Sequence, residues 1–498
     1  MKKIISLLLV FLMLISIIAC GDTSTDEKGG ETTDTTAHND TTENAGSEAS
    51  AEITYDGIFQ AGYARKDMTP DGNIHMNDGV LLNKVQDPLY VTCIAVYDGE
   101  NTALLFTVDV KGLADFTCEM MKKRINFATK VPVENIMISA THSHSTPFPE
   151  NPGSDPDNIR WTAKVNTQVI EAAKEAIADL SDAEIYTGEG KSTGMAFVRR
   201  WYLSDGTPSG IWRQDNDYKP RTDIVAYETK ADDQVQVIRF VRKEKKDIVI
   251  ANWQNHFTDA NGLYPGAVSA DIAAALRTNI EKKDDDALFA VYVGASGNLN
   301  SNGKVPGTKY YSYLRMGTAL SDIILKACEN ATKVNAGKID TTLRTLTVEI
   351  RKDDADVIAK AEAAKKEIGD AADSSDEAFI VCAKYGFESA HEVRAIISRN
   401  KSYGATEDVY VGAISFGDVA FVAAPYEMFD TNGMEIKSGS PFKMTFVLTN
   451  AGGAHAYVPA IGIVENGGYE VYTTKYVFGT GEMFVAQFID MLNEHKNK

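Results

Sequence analysis

Short runs rich in Val, Ile, Phe and Tyr alternate along this chain with stretches whose apolar residues recur every three or four positions. The first pattern is that of buried strands, the second that of helices with one apolar face. Strands are predicted over 58–65, 90–97, 102–110, 136–140, 223–229, 234–241, 248–253, 287–293, 409–415, 419–424 and 442–448. Helices are predicted over 116–128, 158–178, 271–281, 310–330 and 474–493, with about three more between Ala355 and Ile397. Asp98-Gly99-Glu100-Asn101 reads as a hairpin turn, and a second hairpin is expected about Ala231-Asp232-Asp233. No repeat and no linker interrupts the pattern after residue 52. Strands mixed with helices and hairpins predict an α/β class, as one large layered domain with mixed sheets.

The N-terminus departs from this pattern. Lys2 and Lys3 precede a mostly apolar run, Ile4 to Ile18, which is short for a membrane span. Ile17-Ile18-Ala19-Cys20 resembles the lipobox of bacterial lipoproteins, so residues 1–20 are expected to be a signal peptide with Cys20 lipidated. Residues 21–52 are Thr, Asp, Glu, Gly, Ser and Asn with almost nothing apolar, the composition of a disordered tether that leaves His38 solvated. The folded domain is expected over 53–498, outside the cytoplasm, anchored to a membrane of the cell envelope through its N-terminal lipid. A formal charge of −20 and a pI near 4.9, with no basic stripe, exclude nucleic acid as a partner. Cys93, Cys118, Cys328 and Cys382 are far apart and form no C-x-x-C pair, which fits neither a zinc finger nor a disulfide scaffold.

The candidate chemistry gathers where apolar runs stop. Ile136–Ala140 runs into Thr141-His142-Ser143-His144-Ser145-Thr146-Pro147. Two histidines at i and i+2 of an extended segment point the same way, which suits half of a metal or acid–base site. Four other runs end comparably: at His256, at Gly294-Ala-Ser296-Gly297-Asn298-Leu-Asn300, at Pro425-Tyr-Glu427, and at His455-Ala-Tyr457. Ligand sites in open α/β sheets form at strand ends, so these turns are expected to converge. His75, His391, His455 and His495 lie in no motif.

Gly62-Tyr-Ala-Arg-Lys-Asp67-Met-Thr-Pro70, Thr141-His-Ser-His144-Ser, Gly297-Asn298-Leu299, Ala424-Pro-Tyr-Glu427 and Tyr457 with Tyr469-Glu470 occur in the order seen in the neutral, non-lysosomal ceramidases. The chain resembles that family over roughly residues 57–490. The resemblance implies a layered α-β-β-α sandwich and a zinc-dependent (Zn2+) amidase that splits the N-acyl bond of ceramide or a related lipid. It implies zinc ligation by His142, His256, Glu427 and Tyr457. It implies acid–base work for His144, oxyanion stabilisation by Arg199, with Arg200 as the competing register, and a lining role for Tyr469.

Two departures from the family stand out. Where the family has its proposed serine nucleophile this chain has Asn300, followed by Ser301, and an amide cannot attack a carbonyl as a hydroxyl does. Ser296 or Ser301 could substitute, and water activated by the metal is the preferred reading. The chain also stops soon after its last predicted helix, so the family's C-terminal immunoglobulin-like domain is expected to be missing. Alternatives are a zinc hydrolase acting on another amide or ester, or a binding lipoprotein with the same fold and no turnover.

Overall fold

The computed structural model describes residues 57–76, 80–149, 155–211 and 222–498. The expected signal segment, Cys20, the polar tether and His38 lie outside these described residues. The first half of the chain builds one large sheet from β1 (Gln60–Asp67), β2 (Tyr90–Tyr97), β3 (Thr102–Val108), β4 (Ile136–Ala140), β5 (Ser181–Lys191), β6 (Gln234–Arg242), β7 (Asp247–Trp253) and β8 (Ala287–Val293). Their order is β8-β7-β6-β5-β1-β2-β3-β4, with the short strand Thr332–Val334 added beside β5. Neighbours are antiparallel except at the two edges, where β3 with β4 and β7 with β8 are parallel. The second half supplies β9 (Ile339–Glu349), β10 (Thr406–Phe416), β11 (Val419–Ala423), β12 (Tyr426–Met428), β13 (Met444–Leu448) and β14 (His455–Val458). Strands β9-β10-β11-β13 form a second sheet, β11 and β13 run parallel, and β12 with β14 is a separate parallel pair.

Side chains that alternate along each strand divide the interior into layers. Val91, Cys93, Leu104 and Phe106 face Met121 of α1 (Asp115–Thr129), Trp161 and Val165 of α2 (Pro156–Ala178), Leu276 of α3 (Ile272–Lys283) and Leu320 of α4 (Tyr313–Glu329). The other face of the large sheet, through Ile94, Leu105, Phe240 and Tyr292, packs on Ile414, Phe416, Phe421 and Phe446 of the second sheet. Beyond it, Val411, Val422 and Val447 meet Phe484, Phe488 and Leu492 of the C-terminal helix Thr480–Lys496. Each such side chain contributes about 1.5–3 kcal/mol by leaving water. The result is the expected α-β-β-α sandwich with mixed sheets. A three-helix excursion, α5 (Ala355–Ile368), α6 (Asp376–Tyr385) and α7 (Ala390–Lys401), leaves between β9 and β10 with its own small core. No helix among the described residues is long and apolar enough to cross a membrane. The four cysteines of the described domain are buried and free.

Three expectations need correction. The hairpin about Ala231-Asp232-Asp233 does not form: Ile224–Tyr227 pairs with Arg200–Leu203, while β6 lies between β5 and β7. Long-range partners outcompeted the local turn, and Val225 remains exposed. The last helix begins at Thr480 rather than Thr474, because Tyr476 bridges to Ile350 and Gly479 takes a left-handed φ of 94° before the first turn. Two strands of 11 residues, β5 and β9, carried no strand signal. β9 is a Thr-rich edge strand held by its backbone ladder to β10.

β5 is masked by Gly188 and Gly190, and the fold requires both. A Cβ at Gly188 would lie 2.1 Å from the Ala327 carbonyl oxygen of α4, and one at Gly190 2.5 Å from Ile323 Cγ2. A helix riding directly on strand backbone needs glycine beneath it. Gly188→Ala should therefore cost about 1–3 kcal/mol through overpacking. The thermal unfolding midpoint checks this, and an unchanged midpoint would contradict the close helix–strand approach.

Candidate functional site

The parallel pairs decide where the polar chemistry collects. The chain leaving β4 carries His142 and His144, that leaving β7 carries His256, and that leaving β8 carries Ser296 to Ser301. The chain leaving β11 turns at once into β12, which holds Glu427. All are carboxyl ends of strands in parallel pairs, where such sheets leave a crevice. The edges of the large sheet are drawn together: Thr107 Oγ1 donates to the Val291 carbonyl (2.9 Å) and Tyr292 Oη to the Leu105 carbonyl (3.0 Å). The β12–β14 ladder then sets Tyr457 beside Glu427.

His256 Nε2 lies 2.9 Å and His142 Nε2 3.6 Å from Glu427 Oε2, and His144 Nε2 is 3.2 Å from His142 Nε2. The three imidazoles form a cluster able to hold a metal ion. The hydrogen-bond network assigns the tautomers. His142 Nδ1–H donates to the Lys111 carbonyl (2.7 Å) and His256 Nδ1–H to the Ser296 carbonyl (2.8 Å). Both Nε2 atoms then face the same carboxylate oxygen, a contact that a shared cation would relieve. Zinc bonds of about 2.0–2.2 Å at tetrahedral angles hold donor atoms about 3.3 Å apart, so this donor set fits zinc. The histidines do not share a side by extended alternation, as the sequence suggested. His142 has a φ of 57°, a left-handed conformation that is unfavourable away from glycine, and this bend turns the two rings to within 4.7 Å.

Protonation follows the same logic. Burial, followed by the charge of Arg199, drives the His256 pKa from 6.5 down to about 3. Burial also lowers those of His142 and His144. Burial alone would raise Glu427, but the neighbouring imidazoles and Arg199 hold it at about 2. Neutral imidazoles and an ionised carboxylate are the forms that ligate metals.

Arg199 is buried beside this cluster. Its Nε donates to Glu470 Oε1 (2.7 Å) and its Nη2 to the Gly297 carbonyl (2.8 Å), and its guanidinium carbon lies 5.3 Å from the Tyr457 ring and 5.9 Å from the Tyr469 ring. Burial opposes that charge, yet Tyr457, Glu470 and Glu427 hold the arginine firmly protonated. The competing register resolves itself: Arg200 is committed to Glu228 (2.6 Å) and to the other oxygen of Glu470 (3.2 Å). Burial, with no cation bound, raises Tyr457 well above its ordinary pKa and Tyr469 to about 12.

The Gly297-Asn298-Leu299 turn is structural. A Cβ at Gly297 would sit 2.6 Å from the Glu427 carbonyl oxygen, so glycine lets β12 lie against the turn. Asn298 clamps Asp430 through both ends of its amide (2.7 and 2.9 Å). Asn300 pairs with Phe197, and the buried Ser301 Oγ accepts from Asn255 Nδ2 (2.8 Å).

Sequence reasoning gave no role to Glu470, Lys111 or Asn450, whose amide lies 3.1 Å from His142 Nδ1. Only Glu470 had a signal, its place directly after Tyr469. His455 also had none, yet it fixes β14, with Nε2 2.7 Å from Asp115 Oδ2 and Nδ1 2.8 Å from Tyr476 Oη.

These shifts carry a sign. In metal-free protein the folded His256 stays neutral down to about pH 3, while an unfolded histidine takes up its proton near 6.5. Stability therefore falls as pH drops from 6.5 towards 3. Glu427 adds loss between its ordinary 4.5 and about 2. Metal-free His256→Gln should lose less of its thermal midpoint between pH 7 and pH 5 than the parent. Parallel midpoint-versus-pH curves would contradict the assignment.

Two solved structures share this architecture. The neutral ceramidase from Pseudomonas aeruginosa has 15% sequence identity and a TM-score of 0.64, the match covering 88% of this chain and 74% of that one. A ceramidase complexed with C2 has 14% identity and a TM-score of 0.64, with 89% and 76% covered. No protein-family model matches the sequence, and no curated protein matches it. At this identity the likeness establishes a shared ceramidase-like fold.

Proposed function

We propose that this protein is a zinc-dependent hydrolase that cleaves the N-acyl amide bond of ceramide or a related lipid into a fatty acid and an amine. The observation that carries this reading is the approach of His256 Nε2 (2.9 Å) and His142 Nε2 (3.6 Å) to one oxygen of Glu427, a set of donor atoms that suits a shared metal ion. His142, His256 and Glu427 would hold the ion, with Tyr457 beside them as a further oxygen ligand. A bound zinc would act there as a Lewis acid and lower the pKa of water.

The remaining steps belong to the chain. His144 is kept neutral by burial and its ring lies 4.7 Å from that of His142, where it could carry a proton from attacking water to the departing amine. Arg199, fixed by Glu470 and the Gly297 carbonyl, places positive charge between Tyr457 and Tyr469, where an oxyanion would develop. Ser301 is a poor nucleophile because its hydroxyl partner is the amide of Asn255, which cannot take a proton. Ser296 meets the site through its carbonyl, which orients His256. Attack by water is thus favoured over a covalent serine intermediate. In this reading Cys20 carries the lipid anchor, and the domain works outside the cytoplasm at a membrane surface.

The test is fatty-acid release from a short-chain ceramide by protein lacking residues 1–52, with and without a zinc chelator. Release should be chelator-sensitive, and His256→Ala should lose both bound zinc and activity. Activity persisting without zinc would defeat the proposal. Bound zinc without release would redirect it to another acyl amide or ester.

A further inference from the structure

The acidity of the chain makes one feature at the site stand out. The protein carries a formal charge of −20, yet among the described residues one cation near the histidine cluster has no carboxylate partner. Glu427 faces the two imidazoles, and Glu470 is taken by Arg199 and Arg200. Lys111 follows β3, at the same end of the sheet as the histidines, and its own carbonyl holds His142. Its side chain is half-buried, and its ammonium lies 5.7 Å from the centre of the Phe148 ring. Among the described residues no carboxylate pairs with it. Its charge is felt at both His142 and His144. Phe148 is itself held in place: a Cβ at Gly112 would be 3.2 Å from its ring, so the ring lies flush on the backbone next to Lys111.

We infer that the ammonium of Lys111 and the ring of Phe148 form a subsite beside His144 for a carboxylate carried by the substrate, so that the natural substrate is an anionic N-acyl amide such as an N-acyl amino acid. This deepens the hydrolase reading above and rests on it for the chemistry. A neutral ceramide offers Lys111 no countercharge. A carboxylate completes a charge-assisted hydrogen bond of about 2.7–2.9 Å in a half-desolvated place, where such pairs discriminate strongly. The aromatic face steadies the ammonium and offers an apolar surface to the chain next to the carboxylate. The reaction stays a plain hydrolysis: water adds to the acyl carbon, the C–N bond breaks, and the amine nitrogen leaves with a proton as the fatty acid forms. No co-reactant is needed.

N-octanoylglycine and N-octanoylglycinamide have nearly the same shape and differ in one charge, so they isolate the effect. Binding of each is measured by calorimetry on chelated protein, where the carboxylate cannot coordinate a metal, and hydrolysis of each is measured on zinc-loaded protein. The parent should bind octanoylglycine at least about tenfold more tightly than the amide, a difference near 1.4 kcal/mol. Lys111→Met should bring the two within about twofold, Lys111→Arg should keep the preference, and added salt should shrink it. Equal binding by the parent, or a preference that survives Lys111→Met, would overturn the subsite. Charge-selective binding without hydrolysis of either compound would leave the subsite standing and defeat the amidase reading. Hydrolysis of both without charge preference would do the reverse.

Discussion

The architecture turns on one electrostatic constraint: two buried imidazoles are pressed against one oxygen of a carboxylate, at 2.9 and 3.6 Å. Burial keeps the histidines neutral, and their Nδ1 hydrogens are already committed to the carbonyls of Lys111 and Ser296. Such an arrangement is costly unless something positive shares it, and the surrounding fold is built to withstand that cost. His142 accepts a left-handed backbone, Gly297 gives up its side chain so that β12 can approach, and Asn298 locks Asp430 at the start of the next helix.

Around this centre the charges are arranged in series. Glu470 holds two arginines, of which Arg200 is also satisfied by Glu228 and braces the strand, while Arg199 reaches the tyrosines. Removing a carboxylate shared by two buried guanidinium groups would leave both uncompensated, which is why such residues act on a site without touching a substrate. His455 does similar work for β14, tying it to Asp115 at one nitrogen and to Tyr476 at the other. The three-helix excursion also approaches this region, since His391 of α7 meets the Tyr469 ring edge-on at 5.4 Å. Both β14 and the short helix carrying Tyr469 are therefore held from outside the sheets.

Most of the site was legible in the residues because motifs at strand ends are local. An apolar run that stops at His-x-His, at His256 or at Pro-x-Glu427 states both the element and its terminus. The supporting network was not legible. Lys111 and Ser296 act through backbone carbonyls, which carry no residue signature, and Asn450 and Glu470 meet their partners across hundreds of positions in the chain. The misread elements failed for related reasons. β5 is a strand whose glycines are dictated by the helix above it, and β9 is an edge strand defined by its ladder.

By itself, the sequence determined the class of fold, the placing of most buried strands and helices, and the histidines of a cluster that could hold a metal ion. Those follow from periodicity and from the turns that end each apolar run. Only the tertiary structure decided that the two edges of the large sheet meet, which of two adjacent arginines faces the tyrosines, and how His142 and His144 come together. It also showed that Lys111 stands without a carboxylate partner among the described residues. The physical reason is common to all four: each depends on a distance between segments remote in sequence, and hydrophobic pattern encodes which face is buried but not what it is buried against.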